Sequence, residues 1–244
     1  MTPPVFLVEP GTLPPRGRLV LDGAEGRHAA AVRRLQPGEA LVLADGAGEV
    51  ADCVVAVAHR DSLELEVVAR RALPAPSPRL VVVQALAKGD RGETAVETMT
   101  EVGVDAVVPW AAARSVVQWR GDRGARALGK WRATAREAAK QSRRARVPEV
   151  LPLATTAEVA ALAGAGTAYV LHEEAEEPLA TAPLPDGGDL VLVVGPEGGV
   201  APDELDALAA AGARPVRLGA EVLRTSTAGT AALAVLQVRT GRWG

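Results

Sequence analysis

VLVVGPEGG, residues Val191–Gly199, is the strongest indication of the fold class, because its apolar run leads directly into a glycine-rich turn. An unbroken apolar run is typical of a strand covered on both faces of a parallel sheet. The turn would then place backbone N–H groups beyond the carboxyl end of the sheet, where α/β proteins bind small ligands. Its pattern is neither GxGxxG nor GxxxxGK, so it supports neither an NAD site nor an ATP site.

A second strand, glycine, loop and helix follow in Pro215–Val238, PVRLGAEVLRTSTAGTAALAVLQV. Thr225 or Ser226 is predicted to cap the last helix, because a hydroxyl accepts hydrogen bonds from the first free N–H groups. The small residues of this helix predict close packing against another backbone. They are Ala228, Gly229, Ala231, Ala232 and Ala234. If this segment is considered alone, an ordinary alanine-rich helix is the alternative interpretation.

The rest of the chain indicates two domains joined by a linker. Residues 73–78, LPAPSP, contain three prolines and predict the linker. Downstream, residues 79–244 alternate extended apolar runs with helical segments, which predicts an α/β domain with a parallel sheet. Upstream, residues 1–72 hold short stretches rich in Val and Leu, which predict a small β-barrel. Their one helical signal is Gly23–Leu35, where apolar positions recur at helix spacing.

Composition excludes several classes of protein. Hydrophobic residues make up 48% of the chain and aromatic residues 2%, so the core must be aliphatic. No apolar run reaches the roughly 18 residues that a membrane span needs, and the N-terminal segment lacks the features of a signal peptide. We therefore expect a cytoplasmic protein without a membrane partner. The single cysteine, Cys53, excludes an intrachain disulfide and is expected to be a small buried hydrophobe.

Positive charge is concentrated in one segment, although the net charge of the chain is −3. Arg114–Arg146 contains eleven basic and two acidic residues, which gives this segment a net charge of +9. A long helix is predicted from about Arg123 to Ala145, and one side of it carries five cations without acids at i+4. They are Arg132, Arg136, Lys140, Arg143 and Arg144. A solvated surface is one interpretation, but unrelieved charge of this kind favours RNA phosphates.

Two smaller features have structural rather than functional interpretations. The loop His172–Pro178, HEEAEEP, imitates a metal site, but clustered glutamates are more often solvated, and we expect no metal. The four tryptophans are expected to pack in the interior. Trp119 lies in the basic segment and could instead stack on a base.

Two motifs together, GPEGG (Gly195–Gly199) and LGAEVLRTSTA (Leu218–Ala228), resemble the cofactor pocket of the SPOUT class of RNA methyltransferases. The resemblance implies an α/β fold with a parallel sheet and a deep trefoil knot, an exception to the rule that folds are unknotted. Within this class the chain resembles the family that methylates N3 of a uridine in bacterial 16S ribosomal RNA. The similar segments are HAAAVRRLQPGE (28–39), QALAKGDRGE (84–93), EVGVDAVVPWAAARSV (101–116) and KWRATAREAAKQSRRARVPEV (130–150). The N-terminal barrel is similar to the PUA-like RNA-binding domain of that family.

The resemblance also implies site residues and partners. Its S-adenosylmethionine pocket corresponds here to Leu171, His172, Gly195, Pro196, Glu197, Gly198, Gly199, Leu218, Gly219, Val222, Leu223, Arg224 and Thr225. Contacts to 16S rRNA or the small ribosomal subunit are expected at His28, Arg33, Arg114, Arg136, Lys140, Gln141, Arg144 and Arg146. A homodimer is implied, with the RNA spanning both subunits. Ser226 departs from the family, which usually has Glu at this position.

Methyl transfer from a sulfonium to a uracil nitrogen is an in-line displacement, so positioning the two reactants is most of the task. Glu197 is the candidate general base for the N3 proton, and Arg224 is the candidate for stabilising negative charge on the uracil oxygens. One alternative is a non-catalytic RNA-binding factor in ribosome assembly. Another is an enzyme of the same fold that acts on a ribose 2′-hydroxyl or a tRNA base.

Overall fold

The computed structural model describes residues 3–243 of the 244-residue chain. Two compact units are distinguished. The first comprises the residues up to Ala75 together with the later segment Ala139–Val147, and the second comprises Pro76–Ala138 together with the residues from Pro148 onward. Within residues 3–243, no helix combines the length and the apolar character needed to cross a membrane.

The first unit is built on a five-stranded sheet with the order β1-β3-β4-β5-β2. Its strands are β1 (Val5–Leu7), β2 (Gly17–Leu21), β3 (Ala40–Ala44), β4 (Glu49–Ala58) and β5 (Leu63–Ala72). β1 pairs with β3 in parallel, and the other pairs are antiparallel. Inward residues alternate along the strands, as at Leu63, Leu65 and Val67, and together with Phe6 they form the core of this unit.

Helix α1 (Gly23–Arg27) continues into a π-helical turn, His28–Val32. The predicted helix over Gly23–Leu35 is therefore shorter and wider than expected. The Arg33 N–H donates to the His28 carbonyl five residues back, and Arg34 adopts a left-handed conformation with φ of 55°. This conformation ends the helix before Leu35, because a left-handed residue cannot continue a right-handed helix.

Cys53 lies on β4 and is buried in the core of the first unit, as expected. Burial, followed by the negative charge of the neighbouring Asp52, raises the pKa of the Cys53 thiol to about 11. Because the thiolate is the reactive form, this cysteine is chemically inert at neutral pH.

The second unit is an α/β domain whose six-stranded sheet is parallel throughout, with the order β11-β9-β10-β6-β7-β8. Its strands are β6 (Arg79–Ala85), β7 (Ala106–Trp110), β8 (Glu149–Val150), β9 (Thr167–Leu171), β10 (Asp189–Val194) and β11 (Arg214–Val216). Its helices are α2 (Arg91–Glu101), α3 (Gly121–Gln141), α4 (Thr156–Gly164), α5 (Pro202–Ala210) and α6 (Thr225–Arg239). The last residues of α3 belong to the first unit.

The sheet of the second unit is covered on both faces. Leu80 and Val82 of β6 pack with residues of α2, α3 and α6, whereas Val81 and Val83 pack with residues of α4 and α5. This alternation explains why the central strands read as unbroken apolar runs. Helix α6 packs closely at Gly229, where an added Cβ would lie 2.7 Å from the sulfur of Met99 in α2, but the contact is with a side chain and not with the backbone that was predicted.

Helix α3 ends at Gln141, four residues before the predicted end at Ala145. Arg143 is left-handed, with φ of 57°, and the Arg144 N–H donates to the Ala139 carbonyl at 2.8 Å. A bond that closes over five residues onto the last turn is a standard helix termination. The prediction that the helix extends to Ala145 was wrong, because the chain leaves the helix at the left-handed Arg143.

Candidate functional site

A cleft of about 960 Å³ opens at the carboxyl ends of three neighbouring strands of the parallel sheet. Its walls are the loops that follow β9, β10 and β11. All thirteen residues predicted for the cofactor pocket line this one cleft. They are Leu171, His172, Gly195, Pro196, Glu197, Gly198, Gly199, Leu218, Gly219, Val222, Leu223, Arg224 and Thr225. The structure thus brings together residues that are up to 54 positions apart in the sequence.

The turn after β10 needs glycine at two positions. Gly199 has φ of +72°, a conformation that strains any residue with a Cβ. A Cβ on Gly195 would lie 2.9 Å from the Cγ2 of Val200. Arg114, which the family resemblance places among the RNA contacts, lies against this turn and donates from Nη1 to the Gly198 carbonyl at 3.0 Å. Arg114 therefore forms part of the cleft wall.

A buried hydroxyl joins the two ligand loops. The Thr225 hydroxyl donates to the Gly195 carbonyl at 2.8 Å and accepts from Nε2 of Gln84 at 3.0 Å. Gln84, fully buried at the end of β6, also donates to the Ala85 carbonyl. Its Oε1 has no hydrogen-bond partner among residues 3–243. The sequence interpretation missed Gln84, although a single polar residue in the apolar run LVVVQAL (80–86) was the available signal.

The predicted capping role of Thr225 and Ser226 was wrong. Arg224 is the residue that precedes α6, and it makes no side-chain cap. Thr225 and Ser226 are the first two residues of the helix, and both are buried. The Thr225 hydroxyl faces Gly195 and Gln84, so it is not free to cap its own helix.

Glu197 is tied to the loop between β6 and α2. Its Oε1 accepts from the Lys88 N–H at 3.1 Å and from Nη1 of Arg91 at 2.7 Å. Partial burial raises the pKa of Glu197, but the hydrogen bonds from Arg91, its own N–H and Lys88 outweigh burial and lower the pKa below its ordinary value. Glu197 is therefore ionised at neutral pH and is a weak base.

Arg224 is exposed on the cleft wall, and its guanidinium has no hydrogen-bond or ion-pair partner within the described part of the chain. The neighbouring Val222 is 74% exposed and Leu223 is 41% exposed, so this loop presents apolar side chains beside a free cation. Across the cleft, His172 is held by its N–H, which donates to the Val216 carbonyl at 2.9 Å. Its ring Nδ1 accepts from the Glu174 N–H at 3.2 Å.

Glu204 fixes the loop that carries Arg114. It is 6% exposed and lies in the first turn of α5. One carboxylate oxygen accepts from the Ala113 N–H at 2.9 Å and the Thr156 hydroxyl at 2.8 Å, and the other accepts from the Ala201 N–H at 3.2 Å. No local sequence pattern indicates these contacts, because Ala113 and Thr156 are distant from Glu204 along the chain.

Glu204→Gln is expected to lower the free energy of unfolding by about 2 kcal/mol. An amide has only one acceptor oxygen. Its NH₂ group must therefore face at least one of the backbone N–H groups from which the carboxylate now accepts a hydrogen bond. Denaturant unfolding of both proteins measures the difference. Asp203→Asn is the matched control, since it removes only a helix-end charge and should cost less than about 1 kcal/mol. Equal effects of the two substitutions would contradict a special role of Glu204.

The expected RNA contacts differ in how far they are already engaged. In the first unit, Nζ of Lys140 is 2.8 Å from Glu25 and 3.1 Å from Nδ1 of His28, and the side chain is only 10% exposed. Arg146 donates to the carbonyls of Ala47 and Leu73. These three predicted contacts, His28, Lys140 and Arg146, therefore hold the first unit together. Glu25 therefore neutralises part of the positive charge on this helix face. The sequence did not indicate this pair, because Glu25 is distant from Lys140 along the chain.

Three of the other predicted RNA contacts are not engaged within the described residues. Arg33, Arg136 and Gln141 have no side-chain hydrogen bond or ion pair among the residues that the structure describes, whereas Arg144 is already engaged. On the same helix, Nε of Arg132 donates to the Val150 carbonyl at 3.0 Å. Three members of the predicted set thus remain free to meet a polyanion.

The glutamate-rich loop after β9 is engaged by an arginine. Glu177 accepts two hydrogen bonds of 2.7 Å from Nη2 of Arg214. Over residues 3–243, no group of three or more His, Cys, Asp or Glu side chains is placed to hold a metal ion.

Comparison with known proteins identifies the family. The family model described as an RNA methyltransferase domain matches residues 74–237, which is more than half of the chain. This chain belongs to the RNA methyltransferase family. The model described as an RNA methyltransferase PUA domain matches residues 21–68 of this methyltransferase. Both parts of the family resemblance noted in the sequence are thereby confirmed.

Relatives of this RNA methyltransferase cover nearly its full length. The ribosomal RNA small subunit methyltransferase E of Mycobacterium tuberculosis is 50% identical over 238 residues, which cover 95% of this chain and 91% of that protein. The protein of the same name from Bacillus subtilis is 28% identical over 232 residues, or 90% of each chain. The crystal structure of the Neisseria gonorrhoeae protein of that name, bound to S-adenosyl methionine, has a TM-score of 0.86 at 28% identity and covers 98% of both chains. The predicted PUA-like unit and SPOUT α/β fold are confirmed.

Proposed function

We propose that this RNA methyltransferase transfers the methyl group of S-adenosylmethionine to N3 of a uridine in 16S rRNA of the small ribosomal subunit. The observation that carries the proposal is the convergence of thirteen predicted residues on one cleft at the carboxyl ends of the parallel strands. The names of the M. tuberculosis and B. subtilis relatives support ribosomal RNA of the small subunit as the substrate. The atom N3 rests on the similarity of the motifs in both units.

The cleft fits S-adenosylmethionine in size and chemistry. Its volume of about 960 Å³ lies within the range of small-molecule sites in proteins. Gly198 and Gly199 carry no side chain, so the backbone of the turn lines the cleft directly, although the Gly198 carbonyl already accepts from Arg114. Such loops hold an adenosine through backbone N–H and C=O groups. When bound, the cofactor supplies an electrophilic methyl group on a sulfonium.

Arg224 and Glu197 are proposed to act on the uracil. Arg224 presents a free guanidinium on the cleft wall, where it would stabilise negative charge on the uracil oxygens as the N3 proton leaves. Both hydrogen bonds from Lys88 and Arg91 go to Oε1 of Glu197, so the N3 proton would be accepted at Oε2. Because the pKa of Glu197 is lowered, the larger share of catalysis is assigned to Arg224.

The decisive experiment maps the product. The purified protein is incubated with S-adenosylmethionine and small ribosomal subunits or their RNA, and mass spectrometry locates the methylated nucleotide. A 3-methyluridine in 16S rRNA supports the proposal. Calorimetry with S-adenosylmethionine runs beside it, since an inert assembly factor shows neither cofactor binding nor product. A methyl group on a ribose or on a tRNA base would assign the enzyme to another substrate.

We further propose a cytoplasmic homodimer with a deep trefoil knot in the second unit, as the family resemblance implies. The proposed division of the chain is residues 1–72, a linker over 73–78 and residues 79–244, with Ala139–Val147 added to the first unit. Arg33, Arg114, Arg136, Gln141 and Arg144 are retained as the proposed RNA contacts. Light scattering at working concentration tests the dimer, and a monomer would count against it.

Glu197→Gln is expected to lower the rate constant of methyl transfer about tenfold. This effect is small for the loss of a general base, because the lowered pKa of Glu197 makes it a weak base. The ionised form is present above the folded pKa and is lost as the pH falls through that value, which lies below the ordinary range near 4.5. Single-turnover rates between pH 6 and pH 9 should therefore show no inflection from Glu197. An inflection in that range that vanishes in the Gln variant would contradict this.

A further inference from the structure

A second pocket, of about 290 Å³, lies in the second unit beside the loop between β6 and α2. Two indole rings, those of Trp119 and Trp131, form part of its lining. Their centroids are 5.0 Å apart and the ring planes are inclined by 80°, an edge-to-face arrangement. Neither the cleft nor the proposed chemistry uses this pocket.

The aromatic walls are held rigidly. Trp131 is 2% exposed, and a Cβ on Gly92 would lie 2.6 Å from its Cζ2, so the ring rests directly on the backbone of α2. Trp119 is half-buried, and its backbone lies 2.9 Å from where a Cβ on Gly124 would stand. A flat ligand entering this pocket would meet the half-buried ring of Trp119, against which the buried ring of Trp131 packs edge-to-face.

The rim of the pocket is charged. Arg123 is exposed and lines the pocket, and its guanidinium has no side-chain or backbone acceptor within residues 3–243. Glu93 also lines the pocket and pairs with Nζ of Lys130 at 2.9 Å. Aromatic walls beside a free arginine suit a flat heterocycle that is attached to a phosphate.

The second pocket shares one loop with the cleft. Ala87 and Gly89 line the second pocket, whereas the N–H of Lys88, between them, donates to Glu197 in the cleft. Arg91, three residues after Lys88, lines the cleft and pairs with Glu197 as well. A molecule that occupies both sites must therefore be extended and carry several flat groups, as RNA does.

We propose that the second pocket binds one nucleobase of the RNA substrate, other than the base that is methylated. The base stacks on Trp119, and Arg123 contacts the adjoining phosphate. This inference rests on the proposed function, because RNA is taken as the substrate. The second pocket thus holds the RNA strand on the opposite side of the 86–91 loop from the reacting uridine. In this way it contributes to the selection of the uridine that enters the cleft.

Trp119→Leu and Trp119→Phe test the inference, since leucine fills space without a π face and phenylalanine keeps one. RNA affinity is measured by filter binding with small-subunit RNA, and steady-state methylation is measured on the same RNA. Trp119→Leu should weaken RNA binding and raise KM for RNA about tenfold. Trp119→Phe should stay within about threefold of the wild type. The dissociation constant for S-adenosylmethionine and kcat should not change in either variant.

Arg123→Gln, with Arg126→Gln as its control, tests the phosphate contact. Arg126 lies on the same turn of α3 and is exposed, but it does not line the pocket. Arg123→Gln should weaken RNA binding several-fold and flatten its salt dependence, and Arg126→Gln should do so less.

Three results would overturn the inference. One is equal RNA affinity for the Leu and Phe variants of Trp119 in proteins with matching thermal unfolding. The second is equal effects of the Arg123 and Arg126 substitutions. The third is a change of oligomeric state on Trp119→Leu in light scattering, because the pocket would then hold a second copy of the chain. If the wild type binds RNA but makes no methylated product, the proposed function fails, and the filter-binding comparison still decides the base site.

Discussion

Arg224→Ala is expected to lower the rate constant of methyl transfer about 100-fold, while the dissociation constant for S-adenosylmethionine stays within about threefold of the wild type. The guanidinium has no partner among the described residues, so its removal leaves no protein group unsatisfied. Its charge is needed only when negative charge develops on the uracil. An interaction made only in the transition state lowers kcat rather than cofactor affinity.

Two further variants distinguish this role from a general effect of charge. Arg224→Lys keeps the charge but loses the planar fork, and it should recover only part of the rate. Arg217→Ala removes the same charge from the same cleft-lining loop. It should lower the rate less than fivefold, which corresponds to less than about 1 kcal/mol of activation free energy. Single-turnover kinetics at saturating RNA gives the rate, and calorimetry gives the cofactor affinity. Near-normal transfer by Arg224→Ala would remove the assignment.

Thr225→Val is expected to weaken S-adenosylmethionine binding about 30-fold. Valine has the shape of threonine but lacks the hydroxyl, so the Gly195 carbonyl and one donor of Gln84 both lose their partner. Each buried polar group left unpaired costs about 1–3 kcal/mol. Part of that cost falls on folding and part on the alignment of the two ligand loops. Calorimetry measures the affinity, and thermal unfolding separates the two parts.

Thr227→Val is the matched control for this substitution. Thr227 lies in the same first turn of α6, but it is exposed, and among residues 3–243 its hydroxyl bonds only to the Arg224 carbonyl of its own turn, at 3.2 Å. Its replacement should leave cofactor affinity within about threefold, since a surface substitution of this kind costs about 0.5 kcal/mol. A double-mutant cycle with Gln84→Met measures the coupling across the buried bond. Additive effects would show that Gln84 and Thr225 act independently.

The thirteen residues of the cleft were predicted from the family resemblance, whereas the pattern of the chain alone indicates only that ligand loops follow apolar runs. Where strands are parallel, their carboxyl ends meet at one edge, so loops after β9, β10 and β11 converge without knowledge of any contact. The alternation of strands and helices likewise required only local pattern. These features depend on periodicity and order along the chain, which the sequence displays directly.

The contacts that hold the cleft in shape could not be predicted in this way. Gln84 meets Thr225 across 141 residues and Glu204 meets Ala113 across 91, and nothing local at either end identifies the partner. The same holds for Lys140, whose charge is neutralised by Glu25 across 115 residues. The end of α3 was missed because Arg143, rather than a glycine, takes the left-handed conformation.

The segment Ala139–Val147 makes the first unit discontinuous in sequence. Ala145 and Val147 pack against the small apolar cluster around Leu7 and Val50. The Arg146 guanidinium fits where Gly48 has no side chain. A fragment cut at the proline-rich linker would lack these covering residues and would leave that cluster bare to solvent. The first unit is therefore not a cassette: it cannot be excised or exchanged as a single stretch without carrying the end of helix α3 with it.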